Sequence, residues 1–271
     1  MKADLHVHST ASDGSLAPSA LVAMALERGL DVLAIADHDS VEGLAEALAA
    51  ARGTALKLIP AVELSASDGG HDVHVLAYFV DHTDARLLEH LADLRVSRLR
   101  RAGSMVAALC GAGYDVSIDA VLELSGGGAV GRSHVAAALV DAGHAESVSE
   151  AFRTLIGRGR PFYVSKDARP PRDVIATIVA AGGLPVIAHP GVTRADELLP
   201  GLVASGLRGI EAFHADHTPQ QRSHYAAIAR QRGLLVTGGS DYHGPGGPNP
   251  ALGSVDVPSE AVEALLAAGR P

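Results

Sequence analysis

Short apolar runs rich in Val, Ile and Leu alternate along the chain with Ala- and Leu-rich stretches whose apolar positions recur at helical spacing. That alternation predicts βαβ units around a parallel sheet or barrel. Residues 4–7, 32–36, 56–62 and 72–80 read as strands, with helices over 18–28 and 41–52 between the first three. From about residue 83 to about residue 157 helical segments follow one another with no convincing strand between them. LLEHLADLRVSRLRRAGSMVAALCGAG, for instance, keeps helical spacing up to a Gly stop. Alternation then resumes with helix 171–181, strand 184–188, helix 195–205, strand 209–212, helix 219–232, strand 234–237 and a last helix over 259–268. About seven strands with intervening helices predict an α/β fold, an incomplete or irregular (β/α) barrel. Residues 1–85 and 160–271 would form the barrel, and 86–159 a helical insertion contributing to the substrate pocket. The GPGGPNP stretch after His243 reads as a candidate flap.

Composition narrows the class. The 271 residues are 47% hydrophobic, enough for a core, but only 3% aromatic with no Trp, so that core must be built from Ala, Val, Leu and Ile. A formal charge of -9 argues against a general polyanion-binding surface and leaves room for a local phosphate pocket. The single cysteine, Cys110, excludes an internal disulfide framework and a Cys-based zinc site, and reads as a small buried hydrophobe. Neither a signal peptide nor a membrane-length apolar run is evident, so a cytoplasmic protein with no membrane partner is expected.

Metal-type ligands stand at the ends of the predicted strands. The first ends in His6 and His8, the second in Asp37, His38 and Asp39, and the third in Glu63; the fourth carries His74, the fifth ends in His189, and the last runs into Asp241 and His243. Strand ends of a parallel barrel converge on one site, so these residues are expected to meet. His6 and His8, two apart, leave the same face of a strand and can grip one ion together. Asp4 faces the same way and is expected to orient His6. Asp37 and Asp39 read either as supports of the site or as caps of the following helix.

DLHVHSTASDG, IADHDS, IPAVELS, HDVHVLAYFVD, VIAHPG and GSDYHG occur in that order. On these segments the chain resembles the PHP (polymerase and histidinol phosphatase) superfamily of metal-dependent phosphoesterases, over most of its length outside the insertion. The resemblance implies an irregular (β/α)7 barrel with three divalent ions, for which Mn2+, Fe2+ and Zn2+ all suit the mixed shell. It implies that His6, His8, Glu63 and Asp241 hold one ion, that Glu63 bridges to a second held by His74 and His189, and that Asp13, His38 and His243 hold the third. The implied chemistry is phosphate ester hydrolysis by a hydroxide bridging two ions.

Within the superfamily, GRSHVAAAL, GRGRPFYVSK and GIEAFHADHTPQQ resemble small stand-alone members that hydrolyse nucleotide phosphates, among them the 3'-phosphate of nucleoside 3',5'-bisphosphates, and trim short RNA. That resemblance implies phosphate contacts from Arg132 and Lys166, and a place for His217 near the leaving group, as its proton donor. Val192 stands where many relatives carry Arg, so one basic contact is either lost or moved to Arg194. Arg98, Arg100, Arg101, Arg158 and Arg160 read either as a basic rim for a few nucleotides or as a solvated helix face. The alternatives are a histidinol-phosphate phosphatase on the same metals, a C–N hydrolase, and a non-catalytic metal-binding accessory module. The sequence leaves the oligomeric state open.

Overall fold

The computed structural model describes residues 1–269 apart from Gly70, Gly246, Pro248 and Pro250. The last three belong to the loop read as a flap, and they lie outside the described residues. Seven strands form one sheet whose spatial order follows the chain: β1 (Ala3–Val7), β2 (Val32–Ile35), β3 (Lys57–Asp68), β4 (His71–Tyr78), β5 (Leu184–Ile187), β6 (Gly209–His214) and β7 (Leu235–Gly239). Beyond β7 the chain returns to β1, where His8 N donates to Tyr242 O (2.9 Å) and Asp241 N donates to His6 O (2.9 Å). The sheet is thereby a nearly closed barrel.

One strand runs against the pattern expected from the sequence. β4 is antiparallel to both neighbours, while the remaining pairs are parallel. β3 continues to Asp68, well past the predicted end at 62, and turns directly into β4 through Gly69 in the left-handed region (φ 54°). A connection this short permits only a hairpin, since a parallel neighbour needs a crossover of a dozen or more residues. Ser65 and His74 therefore pair across the hairpin, and Glu63 lies mid-strand rather than at a strand end.

Helices α1 (Pro18–Glu27) and α2 (Leu44–Ala51) flank the first strands; α7 (Pro171–Ala180), α8 (Pro190–Thr193), α9 (Leu199–Ala204), α10 (Pro219–Arg232) and α11 (Ser259–Ala268) follow the second half. The predicted helix over 195–205 is shortened to α9, and α8 precedes it as a separate turn of helix directly after His189. Between β4 and α7 lie α3 (Ala85–Gly111), α4 (Ile118–Ser125), α5 (Arg132–Asp141), α6 (Val148–Ala151) and a π-helical turn, Phe152–Ile156. Asp84 caps α3, its carboxylate accepting from Arg86 N and Leu87 N. The first half of α3 buries Leu87, Leu91 and Leu94 against Leu64, Val75 and Ile178 of the barrel. Its second half buries Met105, Val106 and Leu109 in a separate cluster with Val135, Leu139 and Ile156. The helical region is therefore joined to the barrel through a shared helix.

Small residues fill the space that rings would take elsewhere: Ala3, Ala34, Ala36, Ala61 and Ala188 pack with Leu5, Ile59 and Tyr78, next to Val262 and Leu265 of α11. Cys110 is exposed, contrary to its expected burial, because it lies about 100° around α3 from the buried Leu109, at the flank of the packed face; its Sγ donates to Val116 O (3.0 Å). Among the described residues no helix is long and apolar enough to cross a membrane.

Candidate metal centre

At one end of the barrel β1, the segment after β2, the β3–β4 hairpin, the end of β5 and the segment after β7 bring the nine expected ligands together. Glu63 stands at the middle, and its side chain is fully buried. Its Oε1 is 2.8 Å from His74 Nδ1 and 2.9 Å from His189 Nε2. Its Oε2 is 2.8 Å from His38 Nδ1, 3.4 Å from His6 Nε2 and 3.5 Å from His8 Nε2. Asp241 Oδ1 completes a triangle with the first strand, 3.0 Å from His8 Nε2 and 3.6 Å from His6 Nε2. On the far side Asp13 Oδ1 faces His243 Nε2 at 3.3 Å and His8 Nδ1 at 3.9 Å.

These atoms fit cations better than they fit one another. Donors around 2.0–2.2 Å from an ion stand roughly 3 to 3.5 Å apart, the spacing found here. His38 Nδ1, Glu63 Oε2 and Asp13 Oδ1 are buried without a hydrogen-bond partner, although neighbouring polar atoms stand close by. The two nitrogens His6 Nε2 and His8 Nε2 face each other at 3.1 Å. In its neutral form His6 donates from Nδ1 to Glu211 Oε1 (3.0 Å), which turns the Nε2 lone pair inward. Three overlapping groups drawn from the nine can hold an ion: His8, Asp13, His38 and His243; His6, His8 and Asp241; and His38, Glu63 and His74. His6, Glu211 and His214 form a further group that the sequence reading had not assembled. Asp39 (φ 51°), His189 (φ 29°) and Asp241 (φ 52°) adopt backbone angles that non-glycine residues rarely take, strain of the kind concentrated at functional sites.

The supports differ from those expected. Asp4 does not orient the His6 ring; it accepts from Ser240 N, Ser240 Oγ and Gly253 N, and so ties β1 to the segment after β7. Ring orientation falls to Glu211, whose Oε2 also accepts from His189 N (2.8 Å), so that one buried carboxylate fixes two of the candidate ligands. Asp37 accepts from Ser9 N, Ser9 Oγ and Ser12 Oγ, each at 2.7 Å, and braces the loop from His8 to Asp13. Asp39 accepts from Ser65 N and pairs with Arg98. Neither caps α2, which begins at Gly43 without a side-chain cap.

One wall is basic and comes largely from the helical region. Ser133 at the start of α5 donates to Asp13 Oδ2 (2.8 Å). Arg98 reaches Ser65 Oγ (3.0 Å) and Lys166 donates to the same oxygen (3.0 Å), with its Nζ 2.9 Å from His74 Nε2. Arg132 and Arg101 lie beyond, against Asp72. Arg98 and Arg101 therefore line the site, while Arg100, 69% exposed, is solvated. His217 stands outside the cluster: its Nδ1 donates to Ala212 O (2.9 Å) and its Nε2 accepts from Gly191 N (3.0 Å). With both ring nitrogens bonded to backbone, it ties the turn after His189 to the end of β6. Val192 is exposed.

Residues 4–155 match the PHP domain. The chain belongs to the PHP domain family. It is 36% identical over 249 residues to the 3',5'-nucleoside bisphosphate phosphatase of Chromobacterium violaceum, covering 90% of this chain and 87% of that protein. It is also 36% identical over 249 residues to the 5'-3' exoribonuclease Rnm of Escherichia coli, covering 89% and 85%. The crystal structure of a Bifidobacterium adolescentis protein assigned as a metal-dependent phosphoesterase superposes with a TM-score of 0.91 at 36% identity, covering 99% of this chain and 96% of that one.

Electrostatics in this PHP domain are those of a site built for positive charge. Burial alone would raise the Glu63 carboxyl, but His38, His74 and His6 hold it well below the usual carboxylate range; the same holds for Asp13 beside His243 and for Asp241 beside His6. Conversely, against the effect of burial, Asp13 and Asp241 lift the His243 imidazole to about 10, and Glu211, Glu63 and Asp241 raise that of His6. The shifts divide the imidazoles of the metal-free protein: His6, His189 and His243 are raised, while burial and the neighbouring His243 lower His8 to about 4, and burial and Lys166 lower His74 to about 3. Burial and the neighbouring Arg98 push the Lys166 ammonium down to about 7.

Proposed function

We infer that this PHP domain hydrolyses phosphoric esters of nucleotides, and that His6, His8, Asp13, His38, Glu63, His74, His189, Asp241 and His243 hold three divalent ions at its centre. The observation that carries the reading is Glu63, whose two oxygens face different sets of imidazoles, with Asp13 and His243 forming a further pole beyond. Mn2+, Fe2+ and Zn2+ all accept such a mixed shell. Bound ions supply activation of water and neutralisation of the non-bridging phosphate oxygens.

The chain's own groups then have defined tasks. Glu211 and Asp37 hold His6, His189 and the His8–Asp13 loop in place, so the ligands need little reorganisation. Beside His74, Lys166 donates to an oxygen of the phosphate, whose negative charge favours the ammonium form, and Arg132 offers a guanidinium fork. His217 holds the His189 turn. The names of the two relatives, a bisphosphate phosphatase and an exoribonuclease, support nucleoside 3',5'-bisphosphates and short RNA as the substrate class. The net charge of -9 favours small nucleotides over long RNA. A cytoplasmic location is the expectation that goes with such substrates.

The test is phosphate release by the Mn2+-loaded protein from adenosine 3',5'-bisphosphate, AMP, histidinol phosphate and a short 5'-phosphorylated RNA, with Asp13→Ala and His189→Ala as controls. The expected result is preference for the bisphosphate or the RNA, lost in both variants. Preference for histidinol phosphate would overturn the nucleotide assignment, and no release from any substrate would overturn the hydrolase.

A further inference from the structure

Asp72 and His74 are two apart on β4, so their side chains leave the same face about 7 Å from one another. Around Asp72 stand three groups that bind anions. Its Oδ2 is 3.7 Å from Arg101 Nη2, 3.8 Å from Arg132 Nη2 and 3.4 Å from the Tyr163 hydroxyl. Both guanidinium distances exceed hydrogen-bond length. Arg101 Nη2 is buried with no hydrogen-bond partner, and the Arg101 side chain is only 10% exposed.

The cations are fixed by other contacts than this carboxylate. Arg101 Nε donates to Val164 O (2.8 Å). Both guanidinium groups lie over the Tyr163 ring, 5.5 and 5.7 Å from its centroid, and Arg132 also lies over Phe152 at 5.4 Å. A single carboxylate thus faces two anchored guanidinium groups and leaves one buried donor unfilled. Burial and the adjacent Arg132 push Arg101 down to about 10, the effect of cations crowded with too little counter-charge.

We propose that Asp72 is a built-in stand-in for a phosphate, occupying the Arg101–Arg132–Tyr163 subsite until the second, non-reacting phosphate of a substrate displaces it. This rests on the nucleotide reading above, in which the reacting phosphate sits beside His74. The ribose of a 3',5'-bisphosphate spans a separation of this order. A terminal phosphate carries about 1.5 to 2 negative charges at pH 7 and three acceptor oxygens, enough to displace a loosely held carboxylate. An internal phosphodiester, with one charge and two free oxygens, competes with Asp72 on nearly equal terms. Asp72 is then a specificity residue that selects terminal phosphates over diesters.

The experiment compares wild type, Asp72→Asn, Asp72→Glu, Arg101→Met and Arg132→Gln. Two quantities are measured on the full chain: inorganic sulfate affinity by calorimetry after chelation of metal, and steady-state KM and kcat of the Mn2+-loaded protein. The substrates are adenosine 3',5'-bisphosphate and a dinucleotide carrying a diester at the second position. For Asp72→Asn, sulfate binding tightens and the bisphosphate KM falls, each about tenfold, which corresponds to about 1.4 kcal/mol. Preference for the bisphosphate over the diester shrinks, because the diester gains more from losing its competitor. Asp72→Glu keeps the wild-type preference, and Arg101→Met and Arg132→Gln weaken sulfate binding. Sulfate affinity unmoved or weakened by Asp72→Asn would overturn the proposal. Should wild type hydrolyse neither nucleotide, the substrate reading fails, and the sulfate measurements still decide for or against Asp72.

Discussion

The two oxygens of Glu63 face different candidate ligand sets, and its replacement has the sharpest expected consequence. Glu63→Gln substitutes an amide N–H₂ for one acceptor and removes the charge shared by His74, His189, His38 and His6. Activity is expected to fall at least 10²- to 10³-fold, roughly the loss seen when one preorganised electrostatic group is removed, and steady-state phosphate release checks it. Glu211→Gln leaves every ligand in place but weakens the brace on His6 and His189, so metal affinity should drop about 10- to 100-fold in a competitive chelator titration. Asp39 illustrates a stabilising role. Against the pull of burial, Arg98 holds its carboxyl at about 2, down from 3.8. The stability this pair contributes is present above the ordinary aspartate range and is lost as pH falls from about 4 through 2. Asp39→Asn leaves Arg98 buried without its partner and should cost about 3 to 5 kcal/mol at neutral pH by denaturant unfolding. The variant should also lose that part of the acid dependence.

Among the elements, the β3–β4 hairpin decides where Glu63 and His74 meet. The sequence reading placed both strands, because their apolar patterns are plain, but not their antiparallel pairing, since local pattern does not encode the direction of a neighbour. His74 therefore reaches the site from the early part of its strand. The candidate ligands are legible because His and Asp interrupt apolar runs at HVH, ADHD, AHPG and SDYHG. Glu211 was not: in GIEAFH a lone acid alternating with apolar residues reads as an outward position of an exposed strand, and its partners lie more than twenty residues away or more. Arg98 and Arg101, three apart on α3, share a face that turns inward, whereas Arg100 turns out; helix phase separates them only once the packing side is known. His217 links the end of β6 to the turn after β5. Its replacement by Ala should leave Gly191 N and Ala212 O short of partners and destabilise the fold by about 1 to 3 kcal/mol in thermal unfolding. With both ring nitrogens engaged by backbone, the acid limb of the pH–rate profile is expected to survive in this variant. A lost limb would make His217 the proton donor to the leaving group.

At the scale of the whole molecule, a barrel of small residues carries the acidic and imidazole end of the site, and the helical region, joined through α3, supplies the cationic wall. This division explains how a chain of net charge -9 can bind a phosphoester: the cations are few but gathered on one side of the cluster. The cluster also couples metal, protons and stability. His243 is raised to about 10 in the metal-free protein, and its contribution to stability is complete below its ordinary value of 6.5 and is lost as pH rises through 10. Chelated protein should therefore melt at progressively lower temperature between about pH 7 and pH 10, while Mn2+ affinity rises over the same window, because imidazoles must lose their protons to coordinate. Thermal melts with and without chelator across that range read both effects.

Elemental analysis of the metal-saturated protein, run beside Asp13→Ala and Glu63→Gln, tests the proposed centre itself. Three ions per chain are predicted for wild type, one fewer for Asp13→Ala, and at most one for Glu63→Gln. A single ion per chain in wild type at saturation, unchanged in either variant, would contradict the three-ion centre.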